Sequence, residues 1–177
     1  MEAPKVEDLL AGNERFVEAE WNPDDSDLGA KPRLKLAVIG CMDTRFNVEK
    51  VLGLQNGDAK IIRNAGNILD DGTLRSVLVA VHLLGVEEIC VLGHTKCGMT
   101  MVGRGEFTIA KSIATSTGVA LSEVMRPDFQ RWLGGFDDPA GNVQRAVAAL
   151  IGHPYLPKSL KVFGLLYDND TGRVQLV

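Results

Sequence analysis

The sequence predicts an α/β fold with a central, mostly parallel β-sheet flanked by helices and a C-terminal hairpin. Short apolar runs, typical of strands covered on both faces, alternate along the chain with amphipathic segments of helical period. Strands joined through helices in this way form parallel sheets with right-handed crossovers. The last long apolar run is followed by a polar turn and a second short strand pattern, which predicts the hairpin.

The composition indicates one globular domain, which we expect to span residues 1–177. The chain is 45% hydrophobic and 24% charged, and its length is enough to bury a core without disulfides. A net charge of -4 and the lack of a Lys/Arg cluster argue against a nucleic-acid partner. No run reaches the roughly 18 apolar residues of a membrane span, and the first twenty residues lack a signal-peptide pattern. We therefore expect a cytoplasmic protein that binds neither nucleic acid nor membrane.

The first predicted element is an amphipathic helix over Lys5–Glu20. Apolar residues recur on one face of it among charged ones: Val6, Leu9, Leu10, Phe16 and Val17. The polar stretch Trp21–Pro32 then predicts a long loop. We expect this N-terminal helix and arm, residues 1–33, to pack on its own subunit or to cross to another.

Three strands and two helices form the predicted centre of the sheet. In chain order they are strand Leu34–Ile39, helix Val48–Leu54, strand Ala59–Arg63, helix Asp70–Gly85 and strand Glu88–Leu92. Gly40 closes the first strand, and Asn47 is the expected cap of the first helix. We expect the first strand to lie between the other two, with the helices leaving on opposite faces of the sheet.

The rest of the chain is predicted to be helical up to the final hairpin. Residues 97–151 read as helices broken at glycines and at Pro127, and Asp138–Leu150 is a good amphipathic helix. Lys161–Tyr167 and Arg173–Val177 are the two predicted hairpin strands.

Chemistry-bearing side chains follow the ends of two strands that we expect to be neighbours. Cys41, Asp43 and Arg45 follow the first, and His94 and Cys97 follow Glu88–Leu92. Because ligands bind beyond the carboxyl ends of parallel strands, we expect these side chains to converge. Two thiolates and an imidazole suit zinc, and three protein ligands leave a fourth tetrahedral position open for catalysis. We predict one zinc ion per chain.

Asp43 and Arg45 could serve such a metal in two ways. Asp43 could accept a hydrogen bond from hydroxide on the zinc, or it could displace the hydroxide and become the fourth ligand. In both cases Arg45 could hold the carboxylate by a bidentate pair. The structural alternative is an ion pair that only caps the next helix.

The remaining cysteine and histidines are expected to lie outside the site. Cys90 is flanked by apolar residues inside a strand, His82 lies within a helix, and His153 lies in a Gly-His-Pro turn. Residues 93–98 faintly resemble a phosphate-binding loop, but Met99 stands where that loop requires lysine, which excludes it.

Three motifs resemble those of the β-class carbonic anhydrases, particularly their shorter branch first described in archaea. They are Cys41-Met42-Asp43-Thr44-Arg45, then Ile62-Arg63-Asn64-Ala65-Gly66-Asn67, and then Gly93-His94-Thr95-Lys96-Cys97-Gly98-Met99. The resemblance implies that Cys41, His94 and Cys97 bind zinc and that Asp43 and Arg45 form a catalytic dyad. One departure is Lys96, where this branch often has aspartate.

The resemblance also implies the reaction and the assembly. Hydroxide on the zinc would attack CO2 to give bicarbonate and a proton, in a homodimer or higher oligomer. Apart from the resemblance, Gly98 directly follows the last ligand at a predicted helix start, so we expect its N–H to bind a bicarbonate oxygen. Carbonyl sulfide or carbon disulfide hydrolysis at the same zinc site is one alternative. A non-catalytic zinc or thiol sensor, in which Cys41 and Cys97 are oxidised, is another. The intact dyad argues against a sensor.

Overall fold

The computed structural model describes residues 3–105 and 108–177, and contacts divide the chain into two compact units, residues 1–30 and 31–177. The first unit contains helix α1 (Val6–Ala19) and a short 3-10 turn (Pro23–Asp27). Helix α1 matches the predicted amphipathic helix, yet none of its residues is buried. The five side chains of its apolar face are between 44% and 62% exposed. The assignment of all 177 residues to one domain stays a prediction.

A five-stranded sheet organises the second unit, in the order β2-β1-β3-β4-β5. Its strands are β1 (Leu36–Cys41), β2 (Ala59–Asn64), β3 (Glu88–His94), β4 (Lys161–Tyr167) and β5 (Val174–Leu176). The first four strands are parallel, and β5 pairs antiparallel with β4. The predicted parallel sheet, the C-terminal hairpin and the position of the first strand between the next two are confirmed.

The described part of this unit also contains seven α-helices, which lie between the strands in the chain. They are α2 (Val48–Leu52), α3 (Asp71–His82), α4 (Met99–Gly103), α5 (Thr108–Thr117), α6 (Leu121–Val124), α7 (Pro127–Leu133) and α8 (Pro139–Ile151). The side chain of Asn47 caps α2 by accepting the Lys50 N–H at 2.8 Å. None of the helices in the described ranges is long and apolar enough to cross a membrane.

Helices cover both faces of the sheet, as the alternation of strands and helices predicts. On one face, Val48 of α2 packs in a core with Val38 and Cys90. On the other face, Val77 of α3 and Val143 of α8 pack against the second core. Helix α8 lies close to the sheet because β3 and β4 carry glycines beneath it. A Cβ atom at Gly93 or Gly164 would lie 2.5 Å from Val143.

Three boundaries of β1 and β3, the strands that carry site residues, differ from the sequence prediction. Strand β1 begins at Leu36 rather than Leu34, because Lys35 has a left-handed φ of 53° that breaks the extended backbone. It ends at Cys41 rather than Ile39, since Gly40 and Cys41 still pair with β2. Strand β3 likewise extends past Leu92 to His94, which pairs with β4. Cys41 and His94 are therefore the last residues of two adjacent strands, and not the first residues of flexible turns.

Helix α3 also ends earlier than predicted. Its last residue is His82, three residues before Gly85. Gly85 has a φ of 74° and makes the turn that leads into β3. Asp70 caps the start of α3, because its carboxylate accepts the Thr73 N–H at 2.7 Å.

Candidate metal centre

Three side chains converge at the carboxyl end of the sheet. Cys41 ends β1, His94 ends the adjacent strand β3, and Cys97 follows in the connection to α4. One ligand atom from each lies within 4.8 Å of the others, and all three residues are buried. The two sulfurs are 3.9 Å apart. The parallel pairing of β1 with β3 brings these residues together although about fifty residues separate them in sequence.

His94 presents one unpaired ring nitrogen to this cluster. Its Nδ1 lies 2.9 Å from the Thr95 carbonyl oxygen, so Nδ1 carries the proton and donates it. Nε2 is buried and has no hydrogen-bond partner among the described residues. A buried polar atom is costly when it stays unpaired. The two thiols and this nitrogen form a donor set that could hold a metal ion of the zinc type.

Cys41 differs electrostatically from the other two cysteines, because the pKa of Cys97 is raised, first by its hydrogen bond with Cys41. The pKa of Cys41 is lowered, first by the hydrogen bond with Cys97, and burial opposes this only in part. The Gly66 N–H also lies 3.3 Å from the Cys41 sulfur. Burial alone raises the pKa of Cys90 to about 12. Cys90 therefore remains a protonated core residue, whereas Cys41 is stabilised as a thiolate, the form that binds metals.

Asp43 and Arg45 form a bidentate pair beside the cluster. Arg45 Nε donates to Asp43 Oδ1 at 2.9 Å, and Nη2 donates to Oδ2 at 2.6 Å. These hydrogen bonds lower the pKa of Asp43 to about 2, so the carboxylate is ionised at neutral pH. Its Oδ2 lies 3.8 Å from Nε2 of His94. Because Asn47 caps α2, the structure gives no support to the alternative in which Asp43 only caps that helix.

Arg45 is itself held by the segment between the other two cluster residues. Its Nη2 donates to the Lys96 carbonyl oxygen at 2.8 Å. The Lys96 ammonium points elsewhere and pairs with Asp170 on the hairpin turn at 2.5 Å. Both partners of that ion pair are about 60% exposed, so it contributes little to stability. The residue that departs from the family motif thus contacts the dyad only through its backbone.

Arg63 and Phe46 also contact the centre, although sequence reasoning assigned neither a role. Arg63 donates from Nε to the Cys41 carbonyl at 2.8 Å and from Nη2 to the Asp43 carbonyl at 2.6 Å. The Phe46 ring lies 5.3 Å from the His94 ring, centroid to centroid. Arg63 belongs to the second quoted motif, which was a usable signal. Phe46 had no signal beyond its place next to Arg45.

A cavity of about 500 Å³ opens beside the cluster. Its lining includes Cys41, Asp43, Arg45 and Cys97 together with the predicted substrate-binding residue Gly98. Ala65, Met99 and Ile109 give it an apolar wall. The role of the Gly98 N–H stays a prediction.

The other two histidines contact a separate segment of the chain. Nε2 of His82 lies 2.7 Å from the Tyr155 carbonyl oxygen, and Nδ1 of His153 accepts the Tyr155 N–H. Neither belongs to the cluster of Cys41, His94 and Cys97.

Comparison with known proteins relates this arrangement to one family. The family described as Carbonic anhydrase matches residues 36–174. Beta-carbonic anhydrase 1 of Mycobacterium tuberculosis is 30% identical, over 97% of this chain and 97% of its own length. The crystal structure of beta-carbonic anhydrase isoform I from Trichomonas vaginalis is similar with a TM-score of 0.84 and 31% identity, covering 98% of this chain and 97% of that one.

A relative with a different name also matches. The carbon disulfide hydrolase of Acidianus sp. (strain A1-3) is 33% identical, over 80% of this chain and 76% of its own length. The fold, the family match and these relatives lead to one conclusion: the chain belongs to the β-carbonic anhydrase family, and its short length is consistent with the small branch of that family.

Proposed function

We propose that this protein is a zinc-dependent carbonic anhydrase that converts CO2 reversibly to bicarbonate and a proton. The observation that carries the proposal is the buried cluster of two sulfurs and an unpaired His94 nitrogen, which lies beside an ionised Asp43. Cys41, His94 and Cys97 would hold one zinc ion per chain. When bound, zinc supplies a Lewis acid that allows water to ionise near neutral pH.

The residues around the cluster would orient the reactants. Ionised Asp43 can only accept hydrogen bonds, so it would fix the direction of a hydroxyl proton beside the cluster. Arg45 holds that carboxylate at two oxygens and is held in turn by the Lys96 carbonyl. The Gly98 N–H would bind an oxygen of bicarbonate, on a cavity whose apolar wall suits a small uncharged substrate.

Hydrolysis of carbon disulfide or carbonyl sulfide is the second candidate function. The identity to the Acidianus carbon disulfide hydrolase supports it, and both substrates are linear analogues of CO2. Carbonic anhydrase activity is favoured because the fold is more similar to the T. vaginalis carbonic anhydrase, with a TM-score of 0.84, than to a solved carbon disulfide hydrolase, with a TM-score of 0.70. Nothing in the sequence signals a specialised access tunnel.

One zinc-loaded preparation assayed on three substrates would decide between these functions. We expect stopped-flow measurements to show fast CO2 hydration, with little or no sulfide release from carbonyl sulfide or carbon disulfide. The His94→Ala protein serves as the control, because it should be inactive on every substrate that uses this site. Dominant sulfide release with negligible CO2 hydration would make the hydrolase the correct assignment.

We also propose that the chain forms a homodimer or a higher homo-oligomer. The exposed apolar face of α1 supports this, because a helix gains most of its stability by burying such a face. Deleting residues 1–28 should therefore lower both the mass measured by light scattering and the activity.

A double substitution tests the same face of α1 without truncation. Leu9→Ser together with Phe16→Ser should weaken assembly, whereas Glu18→Gln on the same helix should not. A truncated protein that is monomeric and fully active would contradict a role of α1 in the active assembly. A full-length protein that is monomeric at micromolar concentration would contradict the oligomer itself.

A further inference from the structure

The segment after β2 reaches the candidate metal centre through its backbone. Its middle residue, Gly66, points its N–H at the Cys41 sulfur, at 3.3 Å. Hydrogen bonds from backbone N–H groups stabilise a thiolate and fix its direction. The proposed function gives Cys41 a metal but gives this segment, Ala65–Asn67, no task, although it forms half of the second sequence motif.

The conformation of Gly66 leaves little freedom in how this N–H is presented. Gly66 has a φ of 81°, in the left-handed region that favours glycine. A Cβ atom there would lie 2.8 Å from Met99 Cγ and 2.9 Å from Phe136 Cε1. A side chain at this position would therefore collide with Met99 and Phe136, so the backbone can take this place only as glycine.

Side-chain amides hold this segment from two sides. On one side, Asn64 donates to Thr73 Oγ1 at 2.7 Å and accepts the Ile68 N–H at 3.0 Å. On the other side, Asn142 of α8 donates from Nδ2 to the Gly66 carbonyl oxygen at 3.0 Å. Asn142 is only 9% exposed. The other buried residues of α8 are apolar: Val143, Ala146 and Leu150.

We propose that Asn142 is a positioning residue for the metal centre. By holding the Gly66 carbonyl, it fixes the backbone on both sides of Gly66 and so keeps the N–H directed at the Cys41 sulfur. This inference rests on the proposed function, in which Cys41 is a metal ligand. It concerns a residue that touches neither metal nor substrate and lies 76 residues from Gly66.

Cobalt substitution gives a readout that a purely structural role would not change. In the Co²⁺ protein, the thiolate-to-cobalt charge-transfer band reports how strongly the sulfurs donate electrons. Asn142→Ala should move this band to lower energy, because a thiolate that loses an N–H hydrogen bond donates more strongly. Chelator competition should show zinc affinity falling about 10- to 100-fold, the usual cost of losing an outer contact of this kind.

Two further variants keep the experiment decisive. Asn142→Leu nearly preserves the size of the side chain but removes the hydrogen-bond donor. It fills the space that the alanine variant leaves, so it should fold where the alanine variant folds poorly and should shift the band in the same direction. Ala146→Gly lies one turn further along α8 and should lower the melting temperature without moving the band. In metal-free protein, the NMR signal of the Gly66 amide should move in both Asn142 variants and stay in place in Ala146→Gly.

The outcomes separate this inference from the proposed function. If the wild-type cobalt protein shows no thiolate charge-transfer band, the metal site is wrong, and with it the proposed function. The other outcome is that both Asn142 variants show the band at the wild-type energy and bind zinc as tightly as the wild type. That result would overturn the role of Asn142 while leaving the proposed function intact.

Discussion

Replacing Asp43 with asparagine should lower the rate of CO2 hydration about 10- to 100-fold while the protein keeps its zinc. The substitution preserves shape but removes the negative charge that Arg45 holds at two oxygens. An amide can also donate hydrogen bonds. The side chain at this position would therefore no longer act only as an acceptor beside the cluster. Zinc content and stopped-flow rates on the same samples provide the measurement.

Arg45→Ala should produce a loss of similar size by a different route. Without the guanidinium, the pKa of Asp43 rises from about 2 toward its ordinary value, which still leaves the carboxylate ionised at neutral pH. The carboxylate would keep its charge but lose its fixed direction. Lys96→Gln is the matched control, because that side chain pairs with Asp170 at the surface and contacts Arg45 only by its carbonyl. It should retain most of the wild-type rate.

The wild-type activity should rise with pH from mildly acidic to alkaline conditions. A carboxyl group with a pKa lowered to about 2 is ionised throughout that range, so Asp43 does not itself titrate there. The rise would report the ionisation of the water that attacks CO2. Two thiolate ligands would cancel the charge of a divalent metal. We therefore expect the water to ionise less readily here than at a site with three histidines. A flat profile together with a near-wild-type rate for Asp43→Asn would show that the dyad is structural.

The sequence was sufficient to predict the architecture because its periodicities are strong and its caps are local. The apolar strands, the helix that became α3 and the cap at Asn47 each depend on residues within a few positions of one another. Strand ends were less predictable. Whether β1 stops at Ile39 or at Cys41 depends on pairing with β2, which is a contact made across the sheet.

The same distinction holds within the candidate site. Cys41, His94 and Cys97 could be placed together because strand order brings their strand ends to one edge. Arg63 and Asn142 could not be assigned a task from spacing, since each acts through a backbone carbonyl of a distant residue. A hydrogen bond to a carbonyl leaves no mark on the identity of the residue that accepts it.

Single substitutions in the metal cluster should have the largest effect of all. Cys41→Ser, His94→Ala and Cys97→Ser each remove one of three ligands, so each protein should lose zinc and, with it, CO2 hydration. Cys90→Ser is the matched control. That thiol is buried in the core, with a pKa raised to about 12, and lies outside the cluster.

Zinc content per chain, measured by elemental analysis on these four variants and the wild type, is the most direct test of the metal centre. We expect about one zinc per chain in the wild type and in Cys90→Ser, and almost none in the three cluster variants. Circular dichroism on the same samples would show that the variants are folded. Full zinc occupancy in folded His94→Ala protein would contradict the site, and with it the proposed function.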